Sequence, residues 1–311
     1  MSAVERPGAA IANAHTTRPP VVAALTCFNR RDKTLAALQA LADAFDAAGL
    51  PAAAVLVDDG SRDGTAEAVR ALHPWVQIDI GPGDLYWTRG MHRALASAQA
   101  QASAHVLWLN DDTVLQPQAL CRLLREAATL QQQHGRAVIL VGSTHDGSGQ
   151  RSYGGAVAAS RWRRFSYRPV GSPDQPLRCE AINGNCVLVP ISAAQQLGNL
   201  DPAFEHAMGD TDYALRAVAA GHPIYVASGF VGRCDLNAVA GSFNDRSLPL
   251  ARRWRDMRSR KGLPWRSWWH FTRRHGGVLA PLYFVWPYAR LIASALWRKA
   301  ISTATASPAR H

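Results

Sequence analysis

The chain has 311 residues, 48% of them hydrophobic, and its 34 Lys and Arg outnumber its 23 Asp and Glu, giving a formal net charge of +11. This length admits one large α/β domain, with or without an appendage. The five cysteines are widely spaced and form no Cys-x-x-Cys pair, which argues against a disulfide framework and a structural zinc site. Residues 1–19 lack an apolar stretch of signal-peptide length, so they are predicted to be a disordered leader, and a cytoplasmic location is expected.

The apolar runs of the first 145 residues alternate with helical patterns. Strands are predicted at 21–28, 52–60, 76–80, 105–111 and 137–144. Helices are predicted from a cap at Asn29 to about residue 48, after Gly64, and at about 88–102 and 116–133. Continuous apolar strands that alternate with helices indicate a mostly parallel sheet with helices on both faces. In such sheets, ligands bind beyond the carboxyl ends of the strands.

Polar clusters follow three of these strands, at 26–30, 58–61 and 110–113. Asp58 belongs either to an ordinary strand-to-helix connection or to a crevice, where its carboxylate would accept a hydrogen bond from a nucleotide base. Asp111 and Asp112 are adjacent carboxylates that repel one another, so either the strand ends in water or a positive partner lies there. A divalent cation, Mg²⁺ or Mn²⁺, held jointly by carboxylates and ligand phosphates would supply that charge.

A further acidic cluster lies at 204–227, where Asp210 is predicted at the start of a helix. Asp212 and Arg216 are four residues apart on one face of that helix and can form an ion pair. The cluster is either a capped surface helix or the site of a general base, Asp210, supported by Asp212, Arg216 and the neighbouring His206.

Two other stretches are predicted to line a sugar-diphosphate site. Residues 81–95 carry glycines, Trp87 and Arg89 before a helix, and Asn183 and Gly184 precede an apolar strand.

Taken in order, the segments TCFNR, VDDGSRDGT, LNDDT, INGN and GDTDYALRA resemble the signature series of glycosyltransferase family 2. The resemblance covers about residues 20–230 and implies a GT-A fold, the Rossmann-like fold of nucleotide-diphospho-sugar transferases. It implies that the nucleotide base is held by Thr26, Phe28, Arg30 and Asp58. It implies that the diphosphate and the metal are held by Asn110, Asp111 and Asp112, with Asp112 the firmest metal ligand. It also implies that Asp210 is the catalytic base.

The sequence departs from the family pattern at several positions. Gly209 stands where relatives usually carry Glu, and Asn110 where they carry Asp. Residues 233–235 read Arg-Cys-Asp where many relatives have a metal-binding His, which leaves a third protein ligand unassigned. The segment LARRW (250–254) lacks the Gln of the Gln-x-x-Arg-Trp signature of processive synthases, which favours addition of a single sugar.

The end of the chain is basic and aromatic. Residues 246–311 contain 14 Lys and Arg, one acidic residue and six of the ten tryptophans. Residues 20–240 are therefore predicted to be the catalytic domain and 241–311 a helical, membrane-associating tail. Residues 278–297 are long enough to span a membrane, but Pro281, Pro287 and Arg290 favour helices lying in the interface.

In that arrangement, tryptophans would lie at the headgroup level and cations would contact anionic lipid. The residues expected there are Trp265, Trp268, Trp269, Trp286, Trp297, Arg273, Arg274, Arg298 and Lys299. The alternative is a helical subdomain packed on the catalytic core. Nucleic acid is not expected as a partner, because no recognition motif accompanies the basic residues.

The resemblance, together with the basic extension, implies an inverting, metal-dependent glycosyltransferase at the inner face of a bacterial membrane, acting on a saccharide or a polyprenyl-diphosphate-linked saccharide in surface-polysaccharide assembly. A sugar nucleotidyltransferase is a competing enzyme class, but TCFNRRD (26–32) lacks its glycine-rich loop. A catalytically inactive adaptor with the same fold is the non-enzymatic alternative.

Overall fold

The computed structural model describes residues 19–101, 103–160 and 164–305, so the predicted leader lies outside the described residues except for Pro19. The strands are β1 Val21–Cys27, β2 Ala54–Asp58, β3 Val76–Ile80, β4 His105–Leu109, β5 Val114–Leu115, β6 Ile139–His145, β7 Gly155–Ala158, β8 Tyr167–Pro169, β9 Leu177–Cys179, β10 Ala181–Ile182, β11 Cys186–Pro190 and β12 Ile224–Arg233. The α-helices are α1 Arg31–Ala47, α2 Thr65–Leu72, α3 Tyr86–Gln99, α4 Ala119–His134, α5 Ile191–Leu197, α6 Gly209–Ala219, α7 Leu250–Arg258, α8 Trp265–His275 and α9 Ala280–Thr305.

The large sheet has the strand order β3-β2-β1-β4-β11-β6-β12-β5, and β9 also pairs with β12. Strands β1 to β4 are mutually parallel, as are β6 and β12, whereas β11 runs antiparallel between β4 and β6. The predicted mostly parallel sheet is therefore confirmed. A separate antiparallel sheet, β10-β7-β8, lies beside it.

Alternate side chains of the buried strands supply two hydrophobic cores, one on each face of the sheet. On β1, Leu25 packs with Leu38 and Phe45 of α1. Its neighbour Ala24 belongs to the opposite core, which includes Met91 of α3 and Tyr213 of α6. Helices therefore cover both faces, as predicted, and the carboxyl ends of β1, β2 and β4 remain available for a site.

Differences from the sequence-based elements are local. Asn29 does not cap α1: its backbone has φ 51°, in the left-handed region, and its side-chain oxygen accepts the Arg62 backbone N–H at 2.8 Å. The prediction that Asn29 caps α1 was wrong, because its side chain instead binds the backbone of the loop that follows β2. The small β10-β7-β8 sheet was not predicted, because its strands have only two to four residues each.

The C-terminal extension is helical, as predicted, and α8 packs on the segment that precedes α6. Trp268 and Phe271 of α8 form a buried cluster with Phe204. Trp268 is only 9% exposed, and Arg274 contacts two buried or partly buried carboxylates, so the prediction that both contact lipid was wrong.

The remaining aromatic and basic side chains of the extension differ in exposure. Trp265, Trp269 and Trp286 are 50%, 37% and 65% exposed, whereas the side chains of Trp297, Arg298 and Lys299 lie outside the described part. Helix α9 continues through Pro287. Within the described residues, no helix has the length and hydropathy needed to cross a membrane.

Candidate functional site

A cavity of about 610 Å³ lies at the carboxyl ends of the parallel strands. Eleven of the predicted site residues line it: Thr26, Phe28, Arg30, Trp87, Asn110, Asp111, Asp112, Asn183, Gly184, His206 and Asp210. Four others do not: Asp58, Arg89, Asp212 and Arg216. The motifs identified along the sequence therefore converge on one cavity, as the topology of a parallel sheet requires.

Two adjacent carboxylates at the end of β2, Asp58 and Asp59, have different hydrogen-bond partners. Asp58 is 1% exposed, and one of its oxygens accepts the Ser61 backbone N–H at 2.9 Å. Asp59 lines the cavity and accepts backbone N–H groups of Gly83, Leu85 and Tyr86 at 2.8, 2.8 and 3.2 Å. Asp59, which the sequence did not single out as a site residue, therefore fixes the start of α3.

The Arg30 guanidinium is the positive partner of the two carboxylates that end β4. Its Nη1 lies 3.1 Å from Asp111 Oδ1 and 2.8 Å from Asp112 Oδ2. The resemblance assigned Arg30 to the nucleotide base, and the sequence suggested a metal as the positive partner. The structure instead places the arginine on both carboxylates.

Asp111 remains under-satisfied in spite of this contact. Burial raises its pKa to about 6, although Arg30 opposes that shift. Its Oδ2 atom is buried and has no hydrogen-bond partner among the described residues. A bound cation would satisfy that oxygen.

The donor set at this end of the cavity suits a cation shared with a ligand. The described residues contain no group of three His, Cys, Asp or Glu side chains that could hold a metal by themselves. Mg²⁺ and Mn²⁺ commonly bind through one or two carboxylates, with phosphate oxygens and waters completing the coordination. Asp111 and Asp112 fit that second arrangement.

Cys234 follows β12 and lies beside the carboxylate pair. Its thiol donates to Asp112 Oδ1 across 3.5 Å, and its sulfur accepts from Asn185 Nδ2 at 3.0 Å. Burial raises the pKa of this thiol to about 12, and Asp112 adds to the shift. Cys234 is therefore a neutral hydrogen-bonding group here.

Asp210 is in the first turn of α6, as predicted, and faces the cavity. Its two oxygens accept the backbone N–H groups of Gly184, at 3.1 Å, and Thr211, at 2.7 Å. Burial raises the pKa of Asp210, and these hydrogen bonds offset part of the rise. A carboxylate held rigidly, with a raised pKa, is suited to accept a proton.

Gly209, which precedes Asp210, is present because the backbone there packs against α3. A Cβ at residue 209 would lie 2.4 Å from Thr88 Cγ2, so the Glu that relatives carry would not fit. Thr88 also donates to the His206 carbonyl oxygen at 2.9 Å. Close packing against Thr88 therefore gives this departure from the family pattern a structural reason.

Trp87 and Gly184 form one wall of the cavity. A Cβ at residue 184 would lie 2.3 Å from the Trp87 ring, so the indole lies directly on the glycine backbone. The indole N–H donates to Asn110 Oδ1 at 2.7 Å. Two further lining atoms, Asn183 Oδ1 and His206 Nδ1, are buried without a partner among the described residues. Such atoms favour a ligand rich in hydroxyl groups, because each gains a hydrogen bond when the ligand binds.

Asp212 lies behind Asp210 and joins α6 to α8. It is fully buried and accepts from Arg216 Nε at 2.9 Å and from Arg274 Nη1 and His275 Nε2 at 2.8 Å each. Burial acts to raise the pKa of Asp212, but the hydrogen bonds from His275, Arg274 and Arg216 together lower it. The predicted Asp212–Arg216 ion pair is confirmed, and the two partners on α8 are additions that the sequence did not reveal.

Arg89, which was predicted to line the cavity, does not line it, whereas Lys261, which was not predicted to, does. Arg89 was predicted to bind the donor, but its guanidinium contacts Glu205 at 3.5 Å and the Pro202 carbonyl oxygen at 3.0 Å, outside the cavity. Lys261, in the loop between α7 and α8, lines the cavity. Its position among many basic residues of the extension gave no signal that would have identified it.

The family model of glycosyl transferase family 2 matches residues 23–181, about half of the chain. The chain belongs to glycosyl transferase family 2. The family assignment makes the protein a glycosyltransferase, and the matched range includes the segments that carry the Arg30, Asp111 and Asp112 cluster. A search of curated proteins finds no match.

Solved structures of two glycosyltransferases were found to be similar to this chain. TarS from S. aureus, in complex with UDP, matches with a TM-score of 0.50 and 11% identity, covering 81% of this chain and 70% of that chain. The mannosyltransferase PcManGT from Pyrobaculum calidifontis, in complex with GDP-Man and Mn²⁺, has a TM-score of 0.48 and 17% identity, over 94% of this chain and 77% of that chain. The likeness to TarS, together with the sheet described above, confirms the GT-A fold.

Proposed function

We propose that this family 2 glycosyltransferase inverts the anomeric configuration as it transfers one sugar from a nucleotide-diphospho-sugar to a hydroxyl of a saccharide acceptor. The observation that carries the proposal is the placement of Asp210 in the same cavity as the Arg30, Asp111 and Asp112 cluster. The same cavity thus contains a carboxylate pair that suits a metal-bound diphosphate and a separate carboxylate able to accept a proton.

The donor would be held mainly by the groups at the ends of β1 and β4. Thr26 and Phe28 would contact the nucleotide, and Asp58 would support that wall from below it. Asn183, Gly184 and Trp87 would contact the sugar. Mg²⁺ or Mn²⁺, held by Asp112 and Asp111, would neutralise charge on the departing nucleoside diphosphate.

Asp210 would act as the general base and take the proton of the acceptor hydroxyl as it attacks the anomeric carbon. A positioned base of this type contributes on the order of 10²- to 10⁴-fold to the rate. Asp212 and Arg216 would hold the helix that carries the base, and His206 would line the path of the acceptor.

The first experiment measures release of nucleoside diphosphate from a panel of nucleotide-sugars, with Mg²⁺, with Mn²⁺ and with EDTA. The proposal predicts metal-dependent turnover of one donor. Donor binding, measured by calorimetry, should also weaken when Asp112 is replaced by Asn. Failure of every nucleotide-sugar and nucleoside diphosphate to bind would instead favour the adaptor.

The acceptor would be lipid-linked and the enzyme peripheral on the inner face of the cytoplasmic membrane, in bacterial surface-polysaccharide assembly. Support comes from α9, which has two apolar faces. Ala280, Phe284, Tyr288 and Leu291 face the protein, whereas Leu282, Val285, Trp286 and Ile292 form an exposed stripe. An exposed apolar stripe on a basic, tryptophan-rich extension suits an anionic membrane surface.

Co-sedimentation with vesicles tests this location, with vesicles of zwitterionic lipid compared with vesicles that also contain anionic lipid. Leu282→Asp should reduce binding to the anionic vesicles. Leu72→Asp is the matched control, because Leu72 on α2 is 64% exposed and Leu282 is 67% exposed. Equal loss of binding in both variants would contradict a role for α9.

A further inference from the structure

The C-terminal extension contains a cavity of its own. It has a volume of about 460 Å³ and lies between α7, α9 and the loop that precedes α7. On α9 its lining residues recur at helical spacing, so that one face of the helix borders it: Pro287, Arg290, Leu291 and Ser294. Among the residues that the structure describes, none lines both this cavity and the catalytic one. It is therefore a separate candidate site.

Three arginines line this second cavity, which we call the arginine cavity. They are Arg246 in the loop before α7, Arg253 on α7 and Arg290 on α9. Arg253 is only 5% exposed, and its Nε donates to the Phe243 carbonyl oxygen at 2.9 Å, which fixes its charge in the wall. The described residues that line the arginine cavity include no Asp or Glu. The cavity is therefore positively charged and suits an anion.

Two of the three arginines can be reached by a ligand. Arg246 and Arg290 are both exposed, and within the described part of the chain neither makes a hydrogen bond or an ion pair. A guanidinium group presents paired N–H donors that match the oxygens of a phosphate. The two available guanidinium groups therefore favour a ligand that carries a phosphate.

The acidic residues that are nearest in sequence to these arginines face other groups. Asp245 accepts the backbone N–H groups of Gly241 and Ser247, at 2.8 and 2.9 Å. Asp256 lies 3.7 Å from Arg252 on the surface of α7. Neither carboxylate lines the arginine cavity. A phosphate that enters the cavity would therefore not have to displace a carboxylate of the protein.

The remaining wall of the arginine cavity is largely apolar. It includes Met257 of α7, Leu263 of the loop between α7 and α8, and Leu291 of α9. Met257 and Leu291 are 2% and 6% exposed. Inorganic phosphate would leave this apolar surface in contact with water, whereas a phosphate ester with a hydrocarbon portion would cover it. The cavity therefore suits an amphiphilic phosphate.

The arginine cavity adjoins the exposed apolar stripe of α9. Arg290 follows Trp286 by four residues, so the two side chains are neighbours on the helix, and Trp286 is 65% exposed. Leu291 lines the cavity, whereas the next residue, Ile292, belongs to the stripe and is 39% exposed. A lipid with its phosphate in the cavity could therefore extend its acyl chains along an apolar surface.

We propose that the arginine cavity binds the phosphate of one anionic phospholipid molecule. This inference rests on the proposed function in taking a membrane as the source of the lipid, and it adds a defined site for a single molecule. The exposed stripe of α9 contacts a lipid surface as a whole. The arginine cavity instead holds one headgroup, with Arg246 and Arg290 donating to the phosphate and Met257 and Leu291 contacting the hydrocarbon next to it.

The test measures binding of dihexanoylphosphatidylglycerol to the whole chain by calorimetry, below the concentration at which this lipid forms micelles. One molecule should bind per chain. Arg246→Gln and Arg290→Gln should each weaken binding by about tenfold, the usual scale of one partly exposed charge-assisted hydrogen bond. Dihexanoylphosphatidylcholine should also bind about tenfold more weakly, because its ammonium group brings a positive charge to the arginines. Inorganic phosphate at the same concentration should not compete.

Arg266→Gln is the matched control, since Arg266 is an exposed cation of α8 that lies over the Trp265 ring and does not line the arginine cavity. It should bind the lipid as the wild type does. The proposal is overturned if the wild type binds no phosphatidylglycerol, if both cavity variants bind it as tightly as the wild type, or if the control loses as much affinity as they do.

Two further outcomes would also overturn the proposal. Equal binding of the two lipids would show that the negative charge is not recognised, and competition by inorganic phosphate would show that the cavity takes the free anion. Turnover of nucleotide-sugars and sedimentation of the wild type with anionic vesicles decide separately whether the proposed function holds, because neither measurement depends on binding of a single lipid molecule.

Discussion

Replacement of Asp212 by Asn should destabilise the protein strongly. The Asp212 carboxylate is completely buried, and three groups donate to it: Arg216 at 2.9 Å, and Arg274 and His275 at 2.8 Å each. Loss of the negative charge leaves Arg216 without a carboxylate partner and leaves Arg274 with Asp201 alone.

The magnitude follows from the type of pair and from its exposure. Breaking a buried ion pair by removing one partner costs about 3–5 kcal/mol. The Arg216 and Arg274 side chains are 22% and 33% exposed, so water recovers part of the cost. The expected loss in free energy of unfolding is therefore about 3 kcal/mol at neutral pH.

The pH dependence of this loss is also fixed by the structure. The pKa of Asp212 is lower in the folded protein than its ordinary value of 3.8. Its contribution to stability is therefore complete above that ordinary value, and it is lost as the pH falls through the lowered pKa. The difference between wild type and Asp212→Asn should accordingly shrink at acidic pH.

Urea unfolding followed by tryptophan fluorescence measures the effect. Asp256→Asn is the control, because the Arg252–Asp256 pair has a 3.7 Å separation and lies on the surface of α7. That pair should contribute less than about 1 kcal/mol. A loss of less than about 1 kcal/mol for Asp212→Asn at neutral pH would refute the view that the buried cluster joins α6 to α8.

Three further outcomes are expected. Burial raises the pKa of Asp111 to about 6, so its charged form destabilises the folded protein near neutral pH. Asp111→Asn should therefore raise the free energy of unfolding by about 1–3 kcal/mol near neutral pH in EDTA and leave it unchanged in acid. Equal stability of the two proteins at both pH values in urea titrations would contradict this. Gly184→Ala should lower donor turnover on the order of 10- to 100-fold, since the new Cβ would lie 2.3 Å from the Trp87 ring; unchanged steady-state rates would show that the ring position is unimportant. A general base must be unprotonated to act, and burial raises the pKa of Asp210 above the ordinary carboxyl value of 3.8. As the pH is lowered, kcat/KM should therefore begin to fall at a pH above 3.8. A constant kcat/KM down to that pH would contradict the assignment of Asp210 as the base.

The sequence predicted the sheet, and eleven of the fifteen predicted site residues line the cavity, because both depend on local signals. Apolar runs followed by polar residues identified β1, β2 and β4 and the groups at their ends, and the topology of a parallel sheet brings those ends together. The start of α6 at Asp210 was also predictable, from the pattern of its helix.

Long-range contacts were not predictable in the same way. The Arg30 contact with Asp111 and Asp112 joins residues about 80 positions apart, and no periodicity reports it. Arg274 and Lys261 come from the extension, where basic residues are so frequent that those facing the protein cannot be told from those facing solvent. Which of the adjacent Asp58 and Asp59 lines the cavity also depended on the loop after β3, which folds back onto Asp59.

The measurement that tests the central claim most directly is single-turnover sugar transfer by Asp210→Asn, compared with wild type and with Asp174→Asn, which changes an exposed carboxylate outside the cavity. With the donor that the panel identifies, the rate should fall on the order of 10²- to 10⁴-fold in Asp210→Asn alone. Donor affinity, measured by calorimetry, should stay within about threefold of the wild type, because a base acts in the transition state rather than in donor binding. Transfer by Asp210→Asn at the wild-type rate would contradict the assignment of Asp210 as the base.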